Sequence, residues 1–357
     1  MTISPQELEE FYADTSRRLV PVRNSVGAGA FGSITVVRKK GKGKDTTTLF
    51  ALKVQKTYSH AWQEHRMLKM LLPSDKLPLH PNVIKVEEEP VMLGGPQNLS
   101  GFLMELVTGG NLDQKINTGT IPIDWVKWFF RQLISGIEFI HSRHIMHGDI
   151  KSENIFLTAN NVLKIGDFGS AEYLLIKEEP VVELKKVASG FGTINFCPPE
   201  ALPEGKNAKL IDGFPCDVWG AGVVLMHMLT GDIPWIRPVY EDRDYRRWKN
   251  RAKRGVQWAD IGEDAETLLR QILVEDVVTR ATIEKIKNDR WLADDIRPPA
   301  TPLVVLPFKV DCLPTKVKNK LDLWDREKID NLPNVRKRVA RKMWNGEERK
   351  LKARKKQ

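Results

Sequence analysis

Cysteine is scarce in this chain. Cys197, Cys216 and Cys312 are the whole complement, an odd and widely spaced set that excludes a disulfide framework and offers no cysteine cluster for a metal. The expected setting is a reducing, intracellular compartment, nucleus or cytoplasm. Long apolar runs are also missing. The best, Val223 to Leu229, is too short to span a bilayer. Where a signal peptide would need an apolar stretch, the N-terminus has Glu7, Glu9 and Glu10, so neither secretion nor membrane insertion is expected. No internal repeat is evident.

What is present is enough for a folded body: 41 % of the 357 residues are apolar, ample for a buried core. The formal charge of +10 suggests nucleic acid until it is located. Lys309 to Gln357 contain 17 Lys and Arg against 7 Asp and Glu, which leaves 39 of each sign in residues 1–308. The body is close to neutral, and the basic excess belongs to a tail.

Ser4, Pro5 and Glu7 have the spacing of an N-cap, an N1 proline and a capping-box partner, so a short helix is expected in an N-terminal segment, residues 1–21. From Val22 to Glu105 come alternating and β-branched runs, "SITVVRKK", "TLFALKVQ", "NVIKVEEE" and "GFLMELV", with one helical stretch near His60 to Leu72. After Gly110 the period changes. Val126, Phe129, Phe130, Leu133, Ile137 and Ile140 recur at three- and four-residue spacing, the stripe of an amphipathic helix. Further helices are expected near Asp217 to Leu229, Glu263 to Val274 and Thr282 to Lys287. A strand-rich part followed by a helix-rich one predicts two lobes and a cleft: 22–107 for the small lobe and its connection, 108–296 for the large one. The run "RPPATPLVVLP" from Arg297 ends the compact region, leaving 297–357 as a basic, flexible tail.

Gly27, Gly29 and Gly32 form GxGxxG, which lets backbone amides approach phosphate oxygens with no Cβ in the way. Three such glycines arise by chance about 0.1 times in a chain of this length, so an ordinary glycine turn is a fair rival. Context decides between the nucleotide-binding versions. A dinucleotide site needs a helix directly after the glycines, whereas Ser33, Ile34, Thr35, Val36 and Val37 favour a strand. The loop is then the tip of a hairpin over phosphates.

The charged groups follow. Lys53 lies in the strand-like run Phe50 to Val54, Glu64 in the helical stretch, Asp149, Lys151 and Asn154 in "HGDIKSENIF", and Asp167 in "KIGDFGSA". Here the chain resembles the eukaryotic protein kinases, over about 265 residues from Gly27 to Trp291. The resemblance implies an α+β, bilobal kinase fold: a small antiparallel-sheet lobe with one helix, and a larger, mainly helical lobe. It also implies ATP and Mg2+ as cofactors. Asp149 would accept or orient the substrate hydroxyl proton, and Lys151 would neutralise the transferred phosphoryl group. Asn154 and Asp167 would hold magnesium, and Lys53, paired with Glu64, would hold the ATP phosphates. Val26, Ile34, Ala51 and Met104 would line the nucleotide pocket, with the backbone of Glu105 to Val107 meeting the base. "GTINFCPPE" from Gly192 is similar to the peptide-positioning segment, Arg280 occupies the place that pairs with Glu200, and "DVWGAGVVL" from Asp217 resembles the helix anchoring the catalytic loop. Lys151 and Thr193 point to serine/threonine transfer. "TGDIPW" and "DRWL" lean toward the calcium/calmodulin-dependent and checkpoint-kinase-like branch.

The chain also departs from the pattern. Gly148 replaces the arginine that normally meets an activation-loop phosphate, so the loop from Gly169 to Pro199 is expected to reach its active form without one, helped by Glu178, Glu179 and Glu183. The three positions at which related kinases place acids for an arginine-rich substrate are here Asn111, Glu153 and His227, which weakens an arginine preference. His147 reads as a packing residue behind the site. Trp62, Trp125, Trp128, Trp219 and Trp291 read as core or lobe-surface anchors.

In the tail, "RKRVARK" and "RKLKARKK" fit a solvated arm, a docking or autoinhibitory segment, an import-receptor signal or a nucleic-acid contact. Specific nucleic-acid reading is weak, because only Trp324 and Trp344 interrupt the basic runs. Protein substrates and a monomer are expected. Two rival functions stay open: a pseudokinase scaffold, and a nucleic-acid binder acting through its tail.

Overall fold

The computed structural model describes residues 19–29, 32–39, 48–72, 79–87, 91–92, 99–178, 181–202, 208–252 and 256–292. The expected N-terminal helix, Glu179 and the basic tail lie outside the described residues.

The alternating runs near the start form one antiparallel sheet. Its strands are β1 (Leu19–Gly29), β2 (Gly32–Lys39), β3 (Leu49–Gln55), β4 (Val91–Met92) and β5 (Ser100–Glu105), in the order β1-β2-β3-β5-β4. The β1–β2 hairpin closes on Gly29 opposite Gly32, after irregularities in register around Arg23. Helix α1 (Tyr58–Met70) packs on one sheet face through Ala61, Glu64, His65, Met67 and Leu68, the i, i+3, i+4, i+7 set of an amphipathic helix.

Among the described residues 82–87 of "NVIKVEEE" no continuous strand forms; there are single bridges, Val83 to Ile165 and Val86 to Met104. The chain here pairs with two partners in turn: Ile84 N–H donates to the Ile165 carbonyl at 2.9 Å, and Glu87 N–H to the Leu103 carbonyl at 2.7 Å. A segment that passes from one strand system to another within four residues satisfies its backbone without a continuous ladder.

The remainder is built on α2 (Leu112–Asn117), α3 (Ile123–Ser142), α4 (Phe214–Thr230), α5 (Arg243–Lys249), α6 (Glu263–Ile272) and α7 (Ile283–Lys287). The α3 stripe is buried as its spacing predicts. Helix α4 is buried on every side from Cys216 to Met228, which makes it the axis of the large lobe. Around it Trp219, Trp235, Tyr245, Trp248 and Trp258 form an aromatic cluster. Trp125, Trp219 and Trp291 are buried, and Trp62 is exposed.

Short strands position the site between the lobes. β6 (Ile145–Met146) pairs with β9 (Glu172–Tyr173), and β7 (Ile155–Leu157) with β8 (Leu163–Ile165). Beyond them, β10 (Leu175–Glu178) and β11 (Val181–Leu184) form a separate hairpin, and β12 (Val187–Ala188) pairs with β13 (Leu210–Ile211). Lys185 N–H donates to the Leu174 carbonyl at 2.8 Å, closing the base of the β10–β11 hairpin.

Candidate active site

The loop after β6 is hung from α4. The buried Asp217 carboxylate accepts the His147 amide at 2.8 Å and the Gly148 amide at 2.9 Å, and lies 2.8 Å from His141 Nε2. Gly148 has φ +75°, and a Cβ there would stand 2.6 Å from the Ser170 carbonyl oxygen. Only glycine adopts this backbone without strain. His147 packs behind the loop: its Nδ1 lies 3.2 Å from the Asp149 amide and its Nε2 3.0 Å from the Gly166 carbonyl. A neutral ring with its proton on Nε2 satisfies both contacts, which leaves no nitrogen free to act as a base.

Asp149, 6 % exposed, is the focus of this region. One carboxylate oxygen accepts the Thr193 amide at 2.8 Å; the other accepts Lys151 Nζ at 2.6 Å and Asn154 Nδ2 at 3.1 Å. Lys151 Nζ also donates to Thr193 Oγ1 at 2.7 Å, and Asn154 Nδ2 to the Asp149 carbonyl at 2.9 Å. Gly166 N–H donates to the Asn154 carbonyl at 2.9 Å, which sets Asn154 against the residue preceding Asp167. Asp167 itself has φ +60°, a left-handed conformation rare outside glycine that concentrates at functional sites.

From the sheet side comes a second charged group. Lys53 Nζ donates to Glu64 at 2.8 Å and to Asp167 at 2.7 Å, and Gln55 Nε2 donates to the other Glu64 oxygen at 2.7 Å. Burial alone would lower the Lys53 ammonium, but Glu64 and Asp167 outweigh it and hold the group above its ordinary value. Burial raises the Asp167 carboxyl and Lys53 lowers it; Lys53 prevails, so Asp167 is held ionised below its usual range. At the fully buried Glu64 burial prevails and pushes the carboxyl up, so this carboxylate depends on Lys53 and Gln55.

The residues expected to line a nucleotide fall on the sheet and its connection to the large lobe. Gly27, Gly29 and Gly32 lie at the closed end of the β1–β2 hairpin, with Val26 on the β1 backbone. Ile34 pairs with Lys53 and Ala51 with Met104, and Ala51 and Met104 are both buried. At the end of β5 the Glu105 side chain accepts the Lys85 amide at 2.7 Å and meets Lys164 Nζ at 2.8 Å, and Val107 packs against the main core. Among the described residues no group of three or more His, Cys, Asp and Glu could hold a metal. A hard cation between Asn154 and Asp167 would have oxygen donors only, completed by phosphate and water, a donor set that fits magnesium.

The positions weighed for substrate charge have local duties. Asn111 caps α2 in a reciprocal pair with Gln114, and His227 lies 2.8 Å from Ser152 Oγ. Glu153 is half-buried, and burial pushes its carboxyl up. Arg280 reaches Glu200 through two bonds, 2.6 and 3.0 Å.

Gln55, His141 and Lys164 are contributors that the sequence reading did not single out. Gln55 had a signal, since it stands two residues from Lys53 on the same strand face. His141 and Lys164 had none, because their partners are distant in the chain.

The protein kinase domain description matches residues 21–292. The serine/threonine-protein kinase chk-1 of Caenorhabditis elegans is 33 % identical over 304 residues, 84 % of this chain and 56 % of that protein. The CBL-interacting serine/threonine-protein kinase 9 of Arabidopsis thaliana is 31 % identical over 278 residues, 77 % of this chain and 58 % of that protein. The serine/threonine-protein kinase SAPK3 of Oryza sativa subsp. indica is 33 % identical over 282 residues, 76 % of each. The chain spans a little over half the length of the first two. With a matching domain over most of its length and such relatives, the chain belongs to the serine/threonine protein kinases, in their calcium/calmodulin-dependent and checkpoint-kinase-like branch.

Proposed function

We propose that this chain transfers the γ-phosphoryl group of ATP to serine or threonine hydroxyls of protein substrates, with Asp149 as the base. The observation that carries it is the convergence of Thr193, Lys151 and Asn154 on the two Asp149 oxygens. A carboxylate held this way is already aimed before the reaction begins and needs no reorganisation during it. Lys151, between Asp149 and Thr193, is placed to neutralise phosphoryl charge. Lys53, kept cationic by its two carboxylates, is the anchor for the nucleotide phosphates beneath the glycines. Magnesium at Asn154 and Asp167 would supply positive charge to the phosphate oxygens.

Control of this activity is read from Gly148. With no arginine at that position, the activation segment is held by other contacts: the Lys185 to Glu172 ion pair at 3.1 Å, the β10–β11 hairpin and the β12–β13 pair. These support a segment that is active without a loop phosphate. The substrates are proteins not defined by strong arginine recognition, since Glu153 is the one acid at the three positions compared. The basic excess of residues 309–357 fits an arm for a docking partner or import receptor, which would place the protein in nucleus or cytoplasm.

The test is phosphate transfer from ATP and magnesium to a generic basic protein by the intact chain, Asp149→Asn and Asp167→Asn. A loss of about a hundredfold or more in both variants is expected. ATP binding by the intact chain without any transfer would instead favour a pseudokinase scaffold.

A further inference from the structure

Helix α1 has two faces, and only the inner one is used by the site. Tyr58, Trp62 and Arg66, spaced four apart, form a stripe on the outer face; Tyr58 is 41 % and Trp62 43 % exposed. The Arg66 guanidinium lies over the Trp62 ring, 5.3 Å from its centroid. His60 and Gln63 are exposed beside them. Glu64 is the sole carboxylate of the helix and is turned inward to Lys53. The outer stripe therefore combines two rings and a cation with no acid among them, a surface suited to an acidic and aromatic partner.

Such a partner stands in the same chain. Residues 1–18 have Glu7, Glu9, Glu10 and Asp14 against Arg17 and Arg18. Leu8, Phe11 and Tyr12 recur at three- and four-residue spacing, and Ile3 and Leu8 flank the Ser4 to Glu7 capping box in staple positions. The segment runs directly into Leu19, the first residue of β1, in the same lobe as α1. A helix of ten residues is about 15 Å long, and a linker of four adds up to about 14 Å, a span on the scale of one lobe.

We propose that residues 1–18 dock on the outer face of α1, setting Leu8, Phe11 and Tyr12 on Tyr58 and Trp62 and their acids toward Arg66. The helix that positions Glu64 is thereby braced from outside by the start of the chain. Because α1 delivers Glu64 to Lys53, this contact tunes how firmly that pair is held.

The test uses amide hydrogen exchange on the full chain, a readout independent of phosphate transfer. Phe11→Ser with Tyr12→Ser is expected to speed exchange across residues 58–70 about tenfold, as would the loss of a contact worth about 1.4 kcal/mol. Trp62→Ser should speed exchange across residues 5–14, and combining the two sets should add little. Glu7→Lys with Glu10→Lys should act in the same direction, with the wild-type protection weakening as salt rises. Unchanged exchange of residues 58–70 in the N-terminal variants would overturn the proposal. Protection that disappears on dilution would also overturn it, by making a second copy the occupant, and protection gained only on adding a separate acidic peptide would assign the face to another protein.

Discussion

Lys53 and Asp167, 114 positions apart in the chain, meet at 2.7 Å, and the same ammonium lies 2.8 Å from the buried Glu64. One lysine thus holds two carboxylates, one from the small lobe and one beside Asn154. Lys53→Met would leave the buried Glu64 carboxyl with Gln55 in place of a cation. The expected loss is about 3–5 kcal/mol, the usual result of breaking a buried pair from one side, read as a lower urea midpoint. Lys53→Met combined with Glu64→Gln should recover much of that stability while phosphate transfer stays low. A double variant as unstable as the single one would mean that the two residues do not act as a pair.

Restoring the family's arginine at position 148 should harm the chain. Gly148→Arg must place a Cβ at φ +75°, 2.6 Å from the Ser170 carbonyl and 3.0 Å from Met146 Cε. About 1–2 kcal/mol is expected for the left-handed backbone alone, with more for the displaced carbonyl, seen as a lower thermal midpoint. Gly148→Ala should show most of the same loss, since the obstacle begins at Cβ. An alanine variant as stable as wild type would show that the loop relaxes around the new atom.

Cys197 and Cys216 flank the Asp149 loop and should be inert to alkylation. Burial, then the Asp149 charge, pushes the Cys197 thiol up to about 12, and burial raises Cys216 as well. The thiol is the form present below that value and the reactive thiolate the form above it. Iodoacetamide at pH 8 should therefore spare both in the native chain and label both in urea, as mapped by peptide mass. Native labelling at pH 8 at the rate of a free thiol would contradict the burial.

The charges of the site were legible because they come in short fixed spacings: Asp149, Lys151 and Asn154 within six residues, then Asp167. Their convergence with Lys53 was not, since nothing local in either segment encodes a 2.7 Å contact between residues 114 positions apart. Helix α1 was legible from its apolar stripe, with ends displaced by two residues, as propensity fixes interiors better than termini. The segment 82–87 was misread as a strand because burial on both sides gives β-branched residues whether the backbone pairs once or continuously. The β10–β11 hairpin has a signal in "LLIKEEPVVEL", two apolar runs around an acidic pair, within the stretch from Gly169 to Pro199 that the motifs mark as a loop.

The closure at Leu174 and Lys185 makes the β10–β11 hairpin an excursion whose two ends are already adjacent. Everything between them is bypassed, as far as the path from Asp167 to Thr193 is concerned. Chain length can therefore be added or removed there at little entropic cost to the flanks. The activation segment is in this sense modular: its outer part is free to diverge in size and sequence while its two anchored ends keep their places beside the reacting groups.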